Sequence, residues 1–195
     1  MIKRVFDFSL ALFGLLFFSP LLLVFAVLIK LTSKGPVFFI QERVGRNRIF
    51  FRMIKFRSMF VAQDSSSSIS VKGDIRITKL GAVLRKYKVD ELPELVNVLL
   101  GDMSLVGPRP DVPGYADQLE GEQMKILSLR PGITGVASLK YANEEAILAE
   151  QEDPVKYNND IIYPDKVRLN LDYYYNNNLW VDIKIIFATI FRRSY

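Results

Sequence analysis

Phe17-Phe18-Ser19-Pro20-Leu21-Leu22-Leu23 sits at the centre of a run, Phe8 to Ile29, that holds no charged residue. A helix needs about 20 apolar residues to cross the hydrocarbon of a bilayer, so the run is long enough to enter one. No small-residue cleavage site follows Ser19-Pro20, and the run does not read as a removable signal. Pro20 removes a backbone N–H and crowds the preceding turn, at about 3 kcal/mol inside a helix. Both flanks are basic, with Lys3 and Arg4 before the run and Lys30 and Lys34 after it. Basic flanks favour the cytoplasmic face. A straight span satisfies one flank only, whereas a helix broken at Ser19-Pro20 that dips in and returns satisfies both. Backbone groups freed at the break need partners, and the Ser19 hydroxyl can supply one. The expectation is a re-entrant helix, with a straight span as the alternative.

Outside this run the charge is uneven. Up to Ser58 the bases are Lys3, Arg4, Lys30, Lys34, Arg43, Arg46, Arg48, Arg52, Lys55 and Arg57, opposed only by Asp7 and Glu42. The net charge of +5 fits an anionic partner. No basic stripe interleaved with stacking aromatics is evident, so nucleic acid is not an expected partner. The 195 residues include no cysteine and no histidine. That excludes disulfides, Ser-His-Asp and Cys-His machinery and the usual zinc sites. Chemistry must rest on carboxylates, lysine, arginine, tyrosine, hydroxyls or a hard metal ion.

Beyond Gly35-Pro36, residues 37–40 and 49–56 read as strands joined through Gly45-Arg46-Asn47. Lys55 and Arg57 suit a phosphorylated ligand or lipid headgroups, and equally a solvated strand edge. The serine-rich stretch 63–72 reads as an exposed loop. Thr78 can cap a helix to about Tyr87, with Leu80, Val83, Leu84 and Tyr87 toward a core. Next comes Lys88-Val89-Asp90-Glu91-Leu92-Pro93-Glu94-Leu95. Asp90 is placed as a helix N-cap, Pro93 fits the first turn, and Gly101 can end the helix. A helix start favours anions, so Asp90 either merely caps or lies where a phosphate docks. Arg109, between Pro108 and Pro110, is stiffened on both sides, which suits a phosphate or carboxylate, or an ordinary surface loop. Residues 115–129 read as a helix. Residues 130–135 read as a glycine-bearing turn with neither Walker nor dinucleotide spacing. Residues 143–152 read as an acidic, solvent-facing helix and 165–176 as another. Residues 179–193 carry an apolar stripe with Trp180, either interfacial or core-packed. The expected fold class is α/β, in the mixed α+β sense: a small β-hairpin with several helices.

The pieces Ser19-Pro20, Gly35 to Phe39, Gln41 to Gly45, Lys55 to Met59, Asp74 to Thr78, Asp90 to Pro93, Asn97 to Leu99, Gly101 to Pro110 and Arg130 to Gly135 together resemble the small monotopic phosphoglycosyl transferases, bacterial sugar transferases that act on a polyprenyl phosphate. The resemblance implies a re-entrant helix over 1–34 and a cytoplasmic catalytic domain over 35–195 with membrane-interface helices, on the inner membrane of a bacterium. It implies transfer of a sugar 1-phosphate from a UDP-sugar to undecaprenyl phosphate, with UMP released and Mg²⁺ required. Asp90 matches the nucleophile and Glu91 its partner carboxylate, both candidate metal ligands. Arg109 matches a phosphate-binding position. Arg85, Lys55 and Arg57 are further candidate phosphate contacts. A second copy of the chain remains open as a partner. Carboxylate attack on phosphorus is established chemistry, and phosphoryl transfer depends more on positioning and charge neutralisation than on acid–base groups. The alternative is a membrane-docked protein that binds nucleotides or anionic lipids without turnover. Three departures stand out. Arg46-Asn47-Arg48 lies where many relatives carry a glycine, Ile75 replaces a frequent proline, and Val136 to Tyr141 differs from one large branch. The sugar's identity therefore cannot be borrowed from that branch.

Overall fold

The computed structural model describes residues 1–60 and 74–191; the serine-rich stretch lies outside them. Helix α1 runs Ile2–Thr32 with Pro20 inside it. Pro20 cannot donate to the Leu16 carbonyl, and the Ser19 hydroxyl does so instead at 2.8 Å. The lost backbone bond is thus replaced one residue earlier, and helical geometry continues through the proline.

Both ends of α1 are tied to the rest of the chain. At the start, Lys3 reaches the Val106 carbonyl at 3.1 Å. Arg4 donates to the carbonyls of Val98 and Leu99 at 2.5 and 2.9 Å. Buried Asp7 accepts from the Ser104 hydroxyl at 2.7 Å. Ala11 packs with Met53, Leu95, Val98 and Met103. At the far end Ile29 packs with Phe56 and Leu84. Between these anchors one face, with Leu15, Leu22, Phe25 and Ala26, packs inward, and the other is bare, with Phe13, Leu16, Phe17 and Leu23 about two-thirds exposed. Exposed apolar surface on this scale marks an interaction with lipid or another apolar partner.

Strands β1 (Phe38–Val44) and β2 (Phe50–Phe56) form an antiparallel hairpin with Phe38 opposite Phe56. Its turn holds Asn47 and Arg48 at φ 56° and 62°. A glycine here would ease that left-handed geometry. Helix α2 (Lys79–Tyr87) starts at Thr78, whose side chain accepts from the Gly81 amide at 2.8 Å. Leu84 is buried, but Val83 and Tyr87 are exposed, so the core-facing stripe is narrower than the sequence spacing suggested. Helix α3 (Glu94–Leu100) ends at Gly101, φ 96°, a left-handed terminator. Buried Asn97 fastens α3 to β2: its amide donates to the Arg52 carbonyl at 2.7 Å and its oxygen accepts from the Ile54 amide at 3.0 Å.

Strands β3 (Ser104–Val106) and β4 (Gly132–Thr134) pair in parallel. Residues 130–135 are therefore largely a strand rather than a turn, because the partner strand supplies the hydrogen bonds. Residues 115–129 do not make one helix. Two 3₁₀ segments, Ala116–Gln118 and Gly121–Ser128, are separated by extended Leu119 and Glu120, and the second opens on Gly121 at φ 56°. Four helices follow: α4 (Val136–Lys140), α5 (Glu144–Ala149), α6 (Pro154–Tyr157) and α7 (Tyr163–Asn176). Helix α5 is not wholly solvent-facing, since Leu148 is buried and Glu144 and Glu145 are in ion pairs. Helix α8 (Leu179–Ile190) combines the two readings of its stripe. Asp182, Ile185 and Ala188 face the core, while Trp180, Phe187 and Ile190 are exposed. The fold is mixed α+β: small sheets, many helices and one long apolar helix.

Candidate functional site

The site forms where the chain leaves α2. Lys88 takes a left-handed conformation, φ 57°, and closes α2 with its amide on the Arg85 carbonyl. Val89–Glu91 then make one 3₁₀ turn, and Pro93, not Asp90, precedes α3. Asp90 caps no helix. The left-handed residue breaks the register that a capping aspartate needs, and the side chain is left buried. Its Oδ1 has no hydrogen-bond partner among the described residues. Such an orphaned carboxylate oxygen costs stability and is uncommon without a functional reason.

Around Asp90 the charges are ordered. The Arg109 guanidinium meets Glu91 Oε1 at 2.5 Å. Lys55 Nζ lies 3.3 Å from the same oxygen and 3.2 Å from Oε1 of Glu94. Asp90, Glu91 and Glu94 are all buried. The three titrate differently. Burial pushes the Asp90 carboxyl up, Glu91 adds to this, and Lys55, Lys88 and Arg85 oppose it. Burial also pushes Glu91 up, but Arg109, then Lys55 and Lys88, outweigh it and hold Glu91 well below the carboxylate range. Glu94 is raised, chiefly by burial. Neighbouring carboxylates driven apart in this way are a mark of functional sites.

Arg109 owes its position to the sheet. β3 runs into Gly107-Pro108-Arg109-Pro110, and the Pro108 carbonyl accepts from the Gly132 amide of β4 at 2.8 Å. Behind it, Arg43 donates to the Pro110 carbonyl at 3.2 Å, and burial with nearby Arg109 lowers its pKa to about 10. Asp111, beyond Arg43, is raised to about 6 by burial, against the pull of Lys166 and Arg43.

Of the residues singled out in the sequence, Asp90, Glu91, Lys55 and Arg109 converge. Arg85 pairs with Glu145 of α5, and its charge still reaches Asp90. Arg57 does something else: it is buried and donates to the carbonyl and hydroxyl of Ser33, at 2.8 and 2.7 Å, fixing the exit of α1. Ser19 lines an apolar groove of about 360 Å³ with Leu15, Leu22, Phe38, Phe56 and Pro93, and Pro93 is three residues from Asp90. Glu94, Arg43 and Asp111 were not among the site candidates read from the sequence. Glu94 had one available signal, since it follows Glu91 by three residues and so shares its side of a helical turn.

Magnesium would find only part of a shell here. No group of three or more acidic side chains is set to hold a metal among the described residues. Asp90 offers a free oxygen, but Glu91 Oε1 is already engaged by Arg109 and Lys55. This donor set fits an ion that takes one or two carboxylates and draws its other ligands from phosphates.

Comparison with known proteins gives the family. An N-acetylgalactosamine phosphotransferase of Aeromonas hydrophila that acts on undecaprenyl phosphate is 40% identical over 195 residues, covering 97% of this chain and 43% of that protein. The UDP-glucose:undecaprenyl-phosphate glucose-1-phosphate transferase of Escherichia coli is 37% identical, covering 98% of this chain and 40% of that protein. The exopolysaccharide production protein PSS of Rhizobium leguminosarum is 39% identical, with 97% and 93% covered. The chain thus spans about two-fifths of the first two relatives and nearly all of the third. Residues 1–194 match the description bacterial sugar transferase, and with the carboxylate turn, the Arg109 loop and the apolar helix all inside that span, the chain belongs to the bacterial sugar transferase family.

Proposed function

We propose that this chain is a membrane-held phosphoglycosyl transferase that moves a sugar 1-phosphate from a UDP-sugar to undecaprenyl phosphate and releases UMP. The observation that carries the reading is the buried, unpartnered Oδ1 of Asp90 beside the Lys55–Glu91–Arg109 cluster. The relatives' names supply the substrate classes.

In the reading, ionised Asp90 attacks the sugar-linked phosphorus of the donor. The bond to the bridging oxygen breaks and UMP leaves, with a phosphosugar now esterified to Asp90. A phosphate oxygen of undecaprenyl phosphate then attacks the same phosphorus and frees the Asp90 carboxylate. Lys55 and Arg109 neutralise charge on the phosphates, the main need of phosphoryl transfer. Glu91, ionised and held by both cations, fixes their positions. Magnesium, held by Asp90 and Glu91 with donor oxygens, would supply further neutralisation of the diphosphate. The apolar groove at Ser19 and Pro93 offers the acceptor's hydrocarbon chain a place beside the nucleophile.

The bilayer position follows the same reasoning. Both ends of α1 are held by one body of protein and both carry basic residues, which favours a helix dipping into the cytoplasmic leaflet of the inner membrane.

The test is UMP release from a panel of UDP-sugars with Mg²⁺, each with and without undecaprenyl phosphate. Release with one sugar, sustained only with the lipid, together with a phosphosugar mass adduct on Asp90, supports the reading. UDP-sugar bound but left intact under all conditions overturns it in favour of a binding protein.

A further inference from the structure

Lys55 stands between two carboxylates, and only one of them belongs to the mechanism above. Its ammonium is 3.3 Å from Glu91 and 3.2 Å from Glu94. Glu91 does not need Lys55 for charge balance, because Arg109 meets it at 2.5 Å. Glu94 has almost no exposure, and neither of its carboxylate oxygens has a hydrogen-bond partner among the described residues; Oε1 meets Lys55 as an ion pair only. Its one ion pair among the described residues is with Lys55, and it stands at the start of α3, which Asn97 fastens to the strand that carries Lys55. A buried carboxyl kept at such a cost, directed at a single cation, needs an explanation.

We propose that Glu94 is a positioning residue: it holds the Lys55 ammonium back from full commitment to Glu91, so that Lys55 is available to the diphosphate of the incoming donor. Without it, Lys55 collapses onto Glu91, which already has Arg109, and the phosphates meet one cation fewer. The inference rests on the phosphoglycosyl-transfer reading for the identity of the ligand. It makes its own demand, that Glu94 act only through Lys55.

Three variants separate the possibilities. Glu94→Gln keeps an acceptor oxygen within reach of Lys55. Glu94→Met keeps volume but no acceptor. Lys55→Met removes the cation. The measurements are KM and kcat for the UDP-sugar, and Kd for UDP by calorimetry, on detergent-held full-length protein. Loss of the ion pair that holds Lys55 predicts a donor kcat/KM about tenfold lower and a UDP Kd about tenfold higher in Glu94→Met. Glu94→Gln stays near wild type. In a Lys55→Met background, Glu94→Met has no further effect, the signature of two residues acting as one unit. Equal damage from Gln and Met overturns the inference. So does an undiminished Glu94→Met effect without Lys55, which would mean an independent packing role. Should the wild type release no UMP yet show this UDP-binding pattern, the reaction reading falls and the positioning role stands. Should it turn over while the two substitutions simply add, the reverse holds. Absence of both UDP binding and turnover in the wild type removes both.

Discussion

Lys3 Nζ lies 2.5 Å from Asp182 Oδ2, which joins the first turn of α1 to α8 across 179 residues of sequence. Asp182 is 1% exposed and also accepts from the Tyr173 hydroxyl at 2.5 Å. Asp182→Ala removes one acceptor from each of these donors. It is expected to cost about 2–3 kcal/mol, or roughly 5–10 °C in Tm for a chain of this size. A thermal melt in detergent checks this; an unchanged Tm would mean that the contact contributes nothing to the fold.

The anchoring of both ends of α1 makes a topological prediction. The chain has no cysteine, so single introduced cysteines report cleanly. Cysteines at Ile2 and at Lys34 are expected to react with an impermeant maleimide from the same side of sealed vesicles. One at Phe17, in the bare middle of the helix, is expected to stay unreactive. Labelling of the two ends from opposite sides would establish a straight span.

Asp90→Asn is expected to abolish UMP release, by about a thousandfold or more, as loss of a covalent nucleophile does. Stability should not follow activity. The Asp90 carboxyl is buried, its Oδ1 makes no hydrogen bond, and its pKa is raised, chiefly by burial. Neutralising it removes a desolvated charge, so Tm is expected to hold or rise. A large fall in Tm would indicate that Asp90 supports the fold instead.

Asp111 carries a pH signature. Its pKa rises from 3.8 to about 6 on folding, through burial. Between those values the folded state holds a proton that the unfolded state has lost. This stabilising contribution is complete below 3.8 and disappears as pH rises through about 6. Asp111→Asn is therefore expected to raise Tm relative to wild type at pH 7.5, with the difference gone by about pH 4. Tm measured across this range decides it, and a difference independent of pH would contradict the assignment.

Backbone contact between β3 and β4 sets a limit on substitution. A Cβ at Gly132 would overlap the backbone of Gly107, which cannot yield as a side chain can. Gly132→Ala is expected to cost more than about 4 kcal/mol and to displace the Arg109 loop. Gly14→Ala is the contrast. There the new methyl meets only the flexible end of Leu95, at 3.2 Å, and alanine favours the helix by about 1 kcal/mol. Expression level and Tm of the pair test the difference.

What could be read from the sequence was local. The apolar run, the Thr78 cap and the Gly101 terminator each depend on neighbours within a turn or two, and each appears. The hairpin was legible from two apolar runs with a turn between them, and Lys55 was correctly set on it. The misreadings lie where distant segments decide. Residues 130–135 become a strand only because β3 lies beside them. Asp90 fails as a cap because Lys88 adopts a left-handed conformation that no lysine signals in advance. Arg57, set beside Lys55 by a strand pattern, turns instead to Ser33. Glu94 was hidden in plain view, since an isolated glutamate in a helix usually faces solvent.

Ala11 shares its core with Leu95 and Val98 of α3, and Arg4 closes the carbonyl end of that same helix. The helix that follows Asp90 is therefore finished by the long apolar helix. Helix α1 precedes α3 in the chain and adds a second packing surface to the one that β2 gives that helix. On the proposed membrane reading the bilayer would act as a template for maturation: a polypeptide that misses it lacks the α1 side of the packing around α3. Reactive carboxylate chemistry would be assembled only where the greasy acceptor is found, and a fragment cut free of α1 should be treated as a different object, not a smaller version of the whole.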